Sequence, residues 1–213
     1  MLERLSEYRL FFRQFLQNYH TTGAILPSGP WLAAALVRHV GRNGGKRRVL
    51  EVGPGTGAVT RRIVRHLGPE DRLDLAELNP DFARQLNHSL QTDPALAAVA
   101  DRTRVLNCAV EELPQQACYE VVISGLPLNN FSVAEVERIL EVFRGLLAPG
   151  GTLSFFEYIA IRRLRALVSG RRQRQRLRGI GKAMGAVLDG SEIGRESVWP
   201  NVPPAWVHHV RFD

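Results

Sequence analysis

The stretch Val49-Leu50-Glu51-Val52-Gly53-Pro54-Gly55-Thr56-Gly57-Ala58 decides the fold. A short strand, apolar except for Glu51, runs into three glycines at alternate positions before a helical apolar spacing begins. A glycine-rich turn between a first strand and its helix lets a ligand approach the backbone closely. Downstream, strand and helix candidates alternate. Strands are predicted at Arg48–Val52, Leu73–Glu77, Arg104–Cys108, Tyr119–Ser124 and Thr152–Glu157, and helices at Ala58–Leu67, Pro80–Leu90 and Val133–Leu147. Asn79 caps the second helix with Pro80 at its first position, and Ser132 with Glu135 forms a capping box for the third. Pro149-Gly150-Gly151 turns that helix into the fifth strand. Such alternation predicts an α/β fold, a parallel sheet with helices on both faces.

Both flanks of this core have their own character. Residues 1–19 read as an amphipathic helix, with Leu2, Leu5, Phe12, Phe15, Leu16 and Tyr19 at three- and four-residue steps and Arg4, Arg9 and Arg13 on other faces. Such a helix either docks on the domain or lies on a membrane surface. A loop with Gly23 and Pro27 follows, then a helix over 31–40 whose apolar positions are Trp31, Ala35, Leu36 and Val40. Beyond Glu157, nine basic and no acidic residues fall between Arg162 and Lys182, and Trp206–Phe212 alternates like a final strand. One domain is expected. Residues 1–30 form its amphipathic helix and covering loop, 46–157 its core, and 158–213 a basic segment with C-terminal strands.

Composition narrows the classes further. The 213 residues carry 28 basic and 21 acidic side chains, a net charge of +7, and all the basic residues except Lys46 and Lys182 are arginine. The 45% hydrophobic and 23% charged content excludes global disorder. Cys108 and Cys118 are too few for a disulfide scaffold and lack zinc-site spacing, so no metal is expected. No apolar run reaches membrane-span length, and Glu3, Arg4, Glu7, Arg9 and Arg13 interrupt any signal-peptide core. A cytoplasmic protein with an anionic partner, lipid or nucleic acid, is expected.

The glycine loop selects a cofactor. Gly53, Gly55 and Ala58 satisfy the loose dinucleotide pattern. Glu51, however, lies two residues before the first glycine, where a carboxylate repels a pyrophosphate and suits an ammonium. Glu77 closes the next strand, where a carboxylate accepts hydrogen bonds from both ribose hydroxyls. Few residues are left for a dehydrogenase's separate substrate domain. Glu51-x-Gly53-x-Gly55-x-Gly57 followed by Glu77 resembles the S-adenosylmethionine site of class I methyltransferases. The resemblance implies a Rossmann-like fold with a mostly parallel seven-stranded sheet. It places Gly53, Gly55 and Gly57 along the cofactor, Glu77 on its ribose, and S-adenosylhomocysteine as product. Glu51 and Leu78 join this set. Ala109 stands where the family usually carries the aspartate that binds adenine, so the backbone of Ala109 and Val110 is the expected contact.

The loop after the fourth strand, Ser124-Gly125-Leu126-Pro127-Leu128-Asn129-Asn130-Phe131, bears on the methyl acceptor. Adenine N6-methyltransferases carry Asn/Asp-Pro-Pro-Tyr or Asn-Leu-Pro-Tyr there. Gly125 replaces the Asn and Leu128 the aromatic, which removes the side-chain acceptor and stacking platform for a flipped base. Ser-Gly-Leu-Pro instead resembles bacterial phosphatidylethanolamine N-methyltransferases. Thr22–Ser28 is similar to that family's cofactor-covering motif, which adds Gly23, Ile25, Pro27 and Ser28 to the cofactor set with Ser124, Gly125 and Leu126. Phe155–Tyr158 and Val198-Trp-x-Asn-x-Pro-Pro-Ala-x-Val207 also match it. Ornithine-lipid N-methyltransferases look similar.

The resemblance implies methyl transfer to a phospholipid amine, most directly phosphatidylethanolamine through its mono-, di- and trimethyl (phosphatidylcholine) forms. The site would lie on the inner face of the membrane, with ornithine lipid and rRNA adenine as alternative acceptors. Tyr19, His20, Asn129, Glu157 and Tyr158 are candidate pocket residues. Arg162, Arg163, Arg165, Arg171 and Arg172 are candidates for lipid phosphate and an anionic surface. Gly125 and Leu128 argue against a nucleic-acid partner. A non-enzymatic membrane module is the remaining reading.

Overall fold

Side chains alternating between the two faces of β1 (Arg48–Val52) build two cores at once. Val49 faces one apolar cluster, Leu50 and Val52 the other. β4 (Tyr119–Ser124) repeats the pattern, with Val121 and Ile123 on one side and Val122 on the other. A strand apolar on both faces belongs in the middle of a covered sheet. The computed structural model describes residues 29–41, 46–159 and 171–212, the side chains of 171–174 excepted. The remaining strands are β2 (Arg72–Ala76), β3 (Thr103–Leu106), β5 (Leu147–Tyr158), β6 (Glu192–Val198) and β7 (Ala205–Arg211). They form one sheet in the order β3-β2-β1-β4-β5-β7-β6. β3 to β5 are parallel; β7 runs antiparallel to both β5 and β6. The mostly parallel seven-stranded sheet is therefore as expected.

Helices cover both faces. α1 (Pro30–Leu36), the short α2 (Thr60–Ile63), α3 (Pro80–Thr92) and α4 (Pro94–Ala97) pack on the Val49 side. α5 (Val133–Leu146) and α6 (Arg171–Leu188) pack on the Leu50 side. Gly179 lets α6 lie against α5, because a Cβ there would stand 2.6 Å from Val133 Cγ2. Both caps form. Asn79 accepts from the Asp81 amide at 2.8 Å, and Ser132 and Glu135 bond reciprocally.

Several boundaries differ for local reasons. The Ala58–Leu67 helix shrinks to α2 plus a 3₁₀ turn at Val64–His66, as β-branched Val59, Thr60, Ile63 and Val64 disfavour a longer one. β3 stops at Leu106, because the Asn107 side chain turns to the carbonyls of Glu77 (2.7 Å) and Leu78 (3.2 Å). Leu147 pairs with Tyr119 and Thr152 with Val121, so the Pro149–Gly151 turn is an excursion inside β5. β6, exposed along most of its length, carries a weak alternation, and although a seventh strand was expected its bounds were not placed. Trp31 is the reverse of a core position: α1 buries Leu32, Ala33, Ala35 and Leu36, and Trp31 faces solvent.

Candidate active site

All three loop glycines have positive φ: 70° at Gly53, 54° at Gly55 and 81° at Gly57. L side chains rarely adopt that region, so the sequence pattern is a backbone requirement. The loop is fastened at several points. Gly53 N–H donates to Ala76 O at 2.9 Å, and Gly55 N–H donates to Glu77 Oε2 at 2.9 Å. Arg61 donates to the carbonyls of Thr56 (3.0 Å) and Gly57 (3.2 Å) while pairing with Asp93 at 3.0 Å. Motif reading overlooked this brace, since Arg61 lies outside the glycine pattern.

Two carboxyls sit under the loop. Glu51 is buried and accepts from the Thr60 hydroxyl at 2.6 Å. Burial pushes its pKa up to about 8, the Thr60 bond opposing the shift. Glu77 is also buried, and its Oε1 accepts from Asn79 N–H at 2.8 Å. Burial raises its pKa as well, against the backbone amides. Beside them runs an apolar cleft lined in part by Val52, Gly53, Leu78, Ala109, Val110 and Leu126. The sequence reading placed no charged group there. Glu111 is the only charged side chain among the described residues that line the cleft.

The second wall is the turn after β4. Ser124 is fully buried, and its Oγ accepts from Leu126 N–H at 3.3 Å. A Cβ on Gly125 would stand 2.6 Å from Gly53 O, so this backbone admits no side chain at 125. Leu126 packs over Gly53, whose own Cβ would meet Leu126 Cδ2 at 2.9 Å. Asn129 is 1% exposed; its Nδ2 donates to Tyr158 O at 3.4 Å, and its Oδ1 is buried without a hydrogen-bond partner. Arg176 of α6 holds this turn from outside, donating to the carbonyls of Asn129 (3.4 Å), Asn130 (3.3 Å) and Phe131 (2.9 Å). One of the nine basic residues of the C-terminal segment is thus committed to the fold.

The structure brings Asn129, Glu157 and Tyr158 together at the end of β5. Tyr158 contributes its carbonyl, while its ring packs edge-on against Phe156 at 5.1 Å in the α1-side core. Glu157 Oε1 lies 3.6 Å from Nε2 of buried His208, whose Nδ1 is 2.7 Å from Glu192 Oε1. His208 was read only as part of a strand; its hydrogen bond with Glu192 depends on β6, whose bounds the sequence did not mark. Tyr19, His20, Gly23, Ile25, Pro27, Ser28, Arg162, Arg163 and Arg165 lie outside the described residues, as do the side chains of Arg171 and Arg172.

The family of methyltransferase domains matches residues 49–151. An ornithine lipid N-methyltransferase of Singulisphaera acidiphila is 30% identical over 154 residues, which cover 70% of this chain and 77% of that one. The chain belongs to the class I S-adenosylmethionine-dependent methyltransferases. The fold agrees. An O-methyltransferase from Bacillus cereus, solved with S-adenosylhomocysteine, superposes with a TM-score of 0.64 at 15% identity over 94% of this chain and 90% of that one. The O-methyltransferase TomG from Streptomyces achromogenes, solved with S-adenosylmethionine, gives 0.60 at 16% identity over 86% and 79%. S-adenosylmethionine is the methyl donor of this methyltransferase and S-adenosylhomocysteine its product. The site fits that molecule: a buried carboxyl offers a place for its ammonium, the loop leaves no Cβ in the way, and Ala76 and Leu78, either side of Glu77, line an apolar cleft.

Proposed function

We propose that this methyltransferase methylates the primary amine of a membrane lipid, phosphatidylethanolamine first and ornithine lipid as the alternative head group. The observation that carries the reading is the contact of Gly125 with Gly53 O, which leaves no space for the side chain an adenine-methylating enzyme places there. The ornithine-lipid relative supports a lipid amine independently. A sulfonium methyl is already activated, so the donor supplies the electrophile. The protein must hold a neutral amine in line and take its proton.

Glu51 is placed to meet the donor's ammonium and Glu77 its ribose. The backbone of Ala109 and Val110, with Glu111 beside them, is placed for the adenine. Asn129 Oδ1 is a buried acceptor in need of a donor, and an amine N–H would satisfy it. Glu157, next to Tyr158 on β5, is the proposed acceptor of the amine's proton. The basic C-terminal segment and residues 1–19 are the proposed membrane contacts, on the inner face of the membrane.

The test is labelled-methyl transfer from S-adenosylmethionine to phosphatidylethanolamine vesicles, ornithine-lipid vesicles and rRNA in parallel. Label in methylated phosphatidylethanolamine supports the first head group, and label in ornithine lipid alone changes the head group but keeps the class. Label only in RNA overturns the reading of the Gly125 turn.

A further inference from the structure

Large apolar side chains are rarely left bare on a soluble surface in a cluster. Trp31 is 63% exposed, Trp199 65% and Val202 70%. The fold collects them. Val198 ends β6 opposite Ala205 at the start of β7, and Ala205 pairs with Tyr158 at the end of β5. The 199–204 connection therefore lies at the carboxyl edge of the sheet, the edge that carries the glycine loop and the Ser124–Asn130 turn. Asn201 in this connection accepts from Gly29 N–H at 3.2 Å, which brings the start of α1, and so Trp31, to the same place. The third tryptophan, Trp206, follows Ala205 in β7 but is partly buried, its ring 5.2 Å beneath the Arg195 guanidinium.

Three segments that reach this edge carry no acidic residue. No Asp or Glu occurs between Tyr8 and Leu50, between Tyr158 and Leu188, or between Ser197 and Phe212. Those three segments contain the Trp31 helix, the whole of α6 and the Trp199 connection. Arg176 ties the first half of α6 to the Asn129 turn, so the Arg171–Arg178 end of that helix stands at the same edge. Arginines at a helix N-terminus oppose the helix dipole. An anionic surface facing them removes the conflict and adds about 1 kcal/mol per basic residue close to it. Tryptophan's apolar body and N–H tip suit the boundary between head groups and acyl chains.

We propose that Trp31, Trp199 and Val202 form a membrane-docking patch that seats the carboxyl edge of the sheet on an anionic lipid bilayer. This rests on the lipid-amine reading above and adds an orientation to it. The mouth of the site faces the bilayer, so an amine enters from the head-group layer without leaving the membrane.

The experiment uses the full chain with vesicles of phosphatidylethanolamine, with and without phosphatidylglycerol, carrying acyl-brominated lipid as a quencher. Tryptophan emission should be quenched when phosphatidylglycerol is present. The signal left in a Trp31→Ser/Trp199→Ser variant, which comes from Trp206, should not be. Vesicle partition of that variant should weaken about tenfold or more, with S-adenosylmethionine binding unchanged. Absence of quenching in the unmodified chain, or equal partition by the variant, overturns the docking patch. So does a tryptophan emission already blue-shifted without vesicles and unaltered by them, which would mean that the chain itself covers the patch. A short-chain lipid amine in free solution separates the two readings. Methylation of it at equal rates by both proteins leaves the function standing when docking fails. Quenching without methyl transfer to any lipid amine leaves docking standing when the function fails.

Discussion

Replacing Glu51 by Gln should stabilise the protein and disable it. Glu51 is buried beneath the glycine loop, and burial lifts its pKa from 4.5 to about 8. Between those values the folded chain keeps a proton that the unfolded chain has released. Glu51 therefore costs nothing below pH 4.5. Its cost grows as pH rises through the window, by about 1.4 kcal/mol per unit, and levels off above about pH 8. At pH 7 the cost to the folded state is about 3 kcal/mol. Gln keeps the shape and can still accept from the Thr60 hydroxyl, but it has no charge to lose. Without cofactor, the variant should gain about 3 kcal/mol at pH 7, or about 6–12 °C in Tm for a chain of this size. That gain should shrink toward zero near pH 4.5. Urea unfolding from pH 5 to pH 8 reads it directly. With cofactor the sign reverses, since an ammonium beside Glu51 favours the ionised form. The unmodified enzyme should release a proton on binding S-adenosylmethionine below pH 8, seen by calorimetry as a heat that varies with the buffer's ionisation enthalpy. The Gln variant should bind far more weakly and release none. A variant no more stable than the parent at pH 7, or equally stabilised at pH 5 and pH 7, would refute the reasoning.

Glu77→Ala should raise the Kd for S-adenosylmethionine by roughly 10- to 100-fold, because it removes a charged acceptor and frees the amides of Gly55 and Asn79; equal binding by calorimetry would remove Glu77 from the site. Gly125→Ala should destabilise by about 1–3 kcal/mol and weaken cofactor binding, since its Cβ would displace Gly53 in the loop; an unchanged Tm and Kd would show that the two glycines do not constrain each other. Asp74→Asn should cost about 2 kcal/mol at pH 7, discounted for the exposure of Arg104. Arg104, Arg48 and the Tyr119 hydroxyl hold the Asp74 carboxyl below its usual 3.8 against the cost of burial. Its support is therefore present above pH 3.8 and lost as pH falls below it, so the two proteins should converge in acid; a gap that persists there would mean that the carboxylate charge is not what stabilises.

Much of the fold was legible because its determinants are local. The edges of β1 and β4 read correctly since apolar residues fill both faces and a loop glycine or Gly125 closes each strand. Both helix caps read correctly since a cap is decided within four residues. β6 did not. Its residues Glu192-Ile-Gly-Arg-Glu-Ser-Val198 are largely exposed and are held by pairing with β7, a partner chosen by the fold. Everything that depends on β6 was hidden with it, including the Glu192–His208 contact and the edge position of Trp199. Trp31 misled for the opposite reason. An aromatic residue in an apolar helix reads as core, and only the docking of Leu32 and Leu36 shows which way the helix is turned. Glu111 was missed because the family pattern directs attention to position 109, two residues earlier.

The two ends of the sheet divide stability from chemistry. At the amino-terminal end the buried carboxylates are saturated: Asp71 takes the backbone amide and guanidinium of Arg47 and the amide of Gly68, and Asp74 takes Arg104, Arg48 and Tyr119. Both lie below their ordinary pKa as a result. At the carboxyl end Glu51 and Glu77 lie above theirs, and the side-chain Oδ1 of Asn129 accepts nothing. The first pair has guanidinium partners; Glu51 and Glu77 have only hydroxyl and amide donors among the described residues, as expected of carboxyls that a ligand is to meet. Gly125 belongs to the same argument. Its missing side chain lets the turn after β4 close onto the glycine loop. The glycine loop and the turn after β4 therefore touch backbone to backbone, and a change in one moves the other.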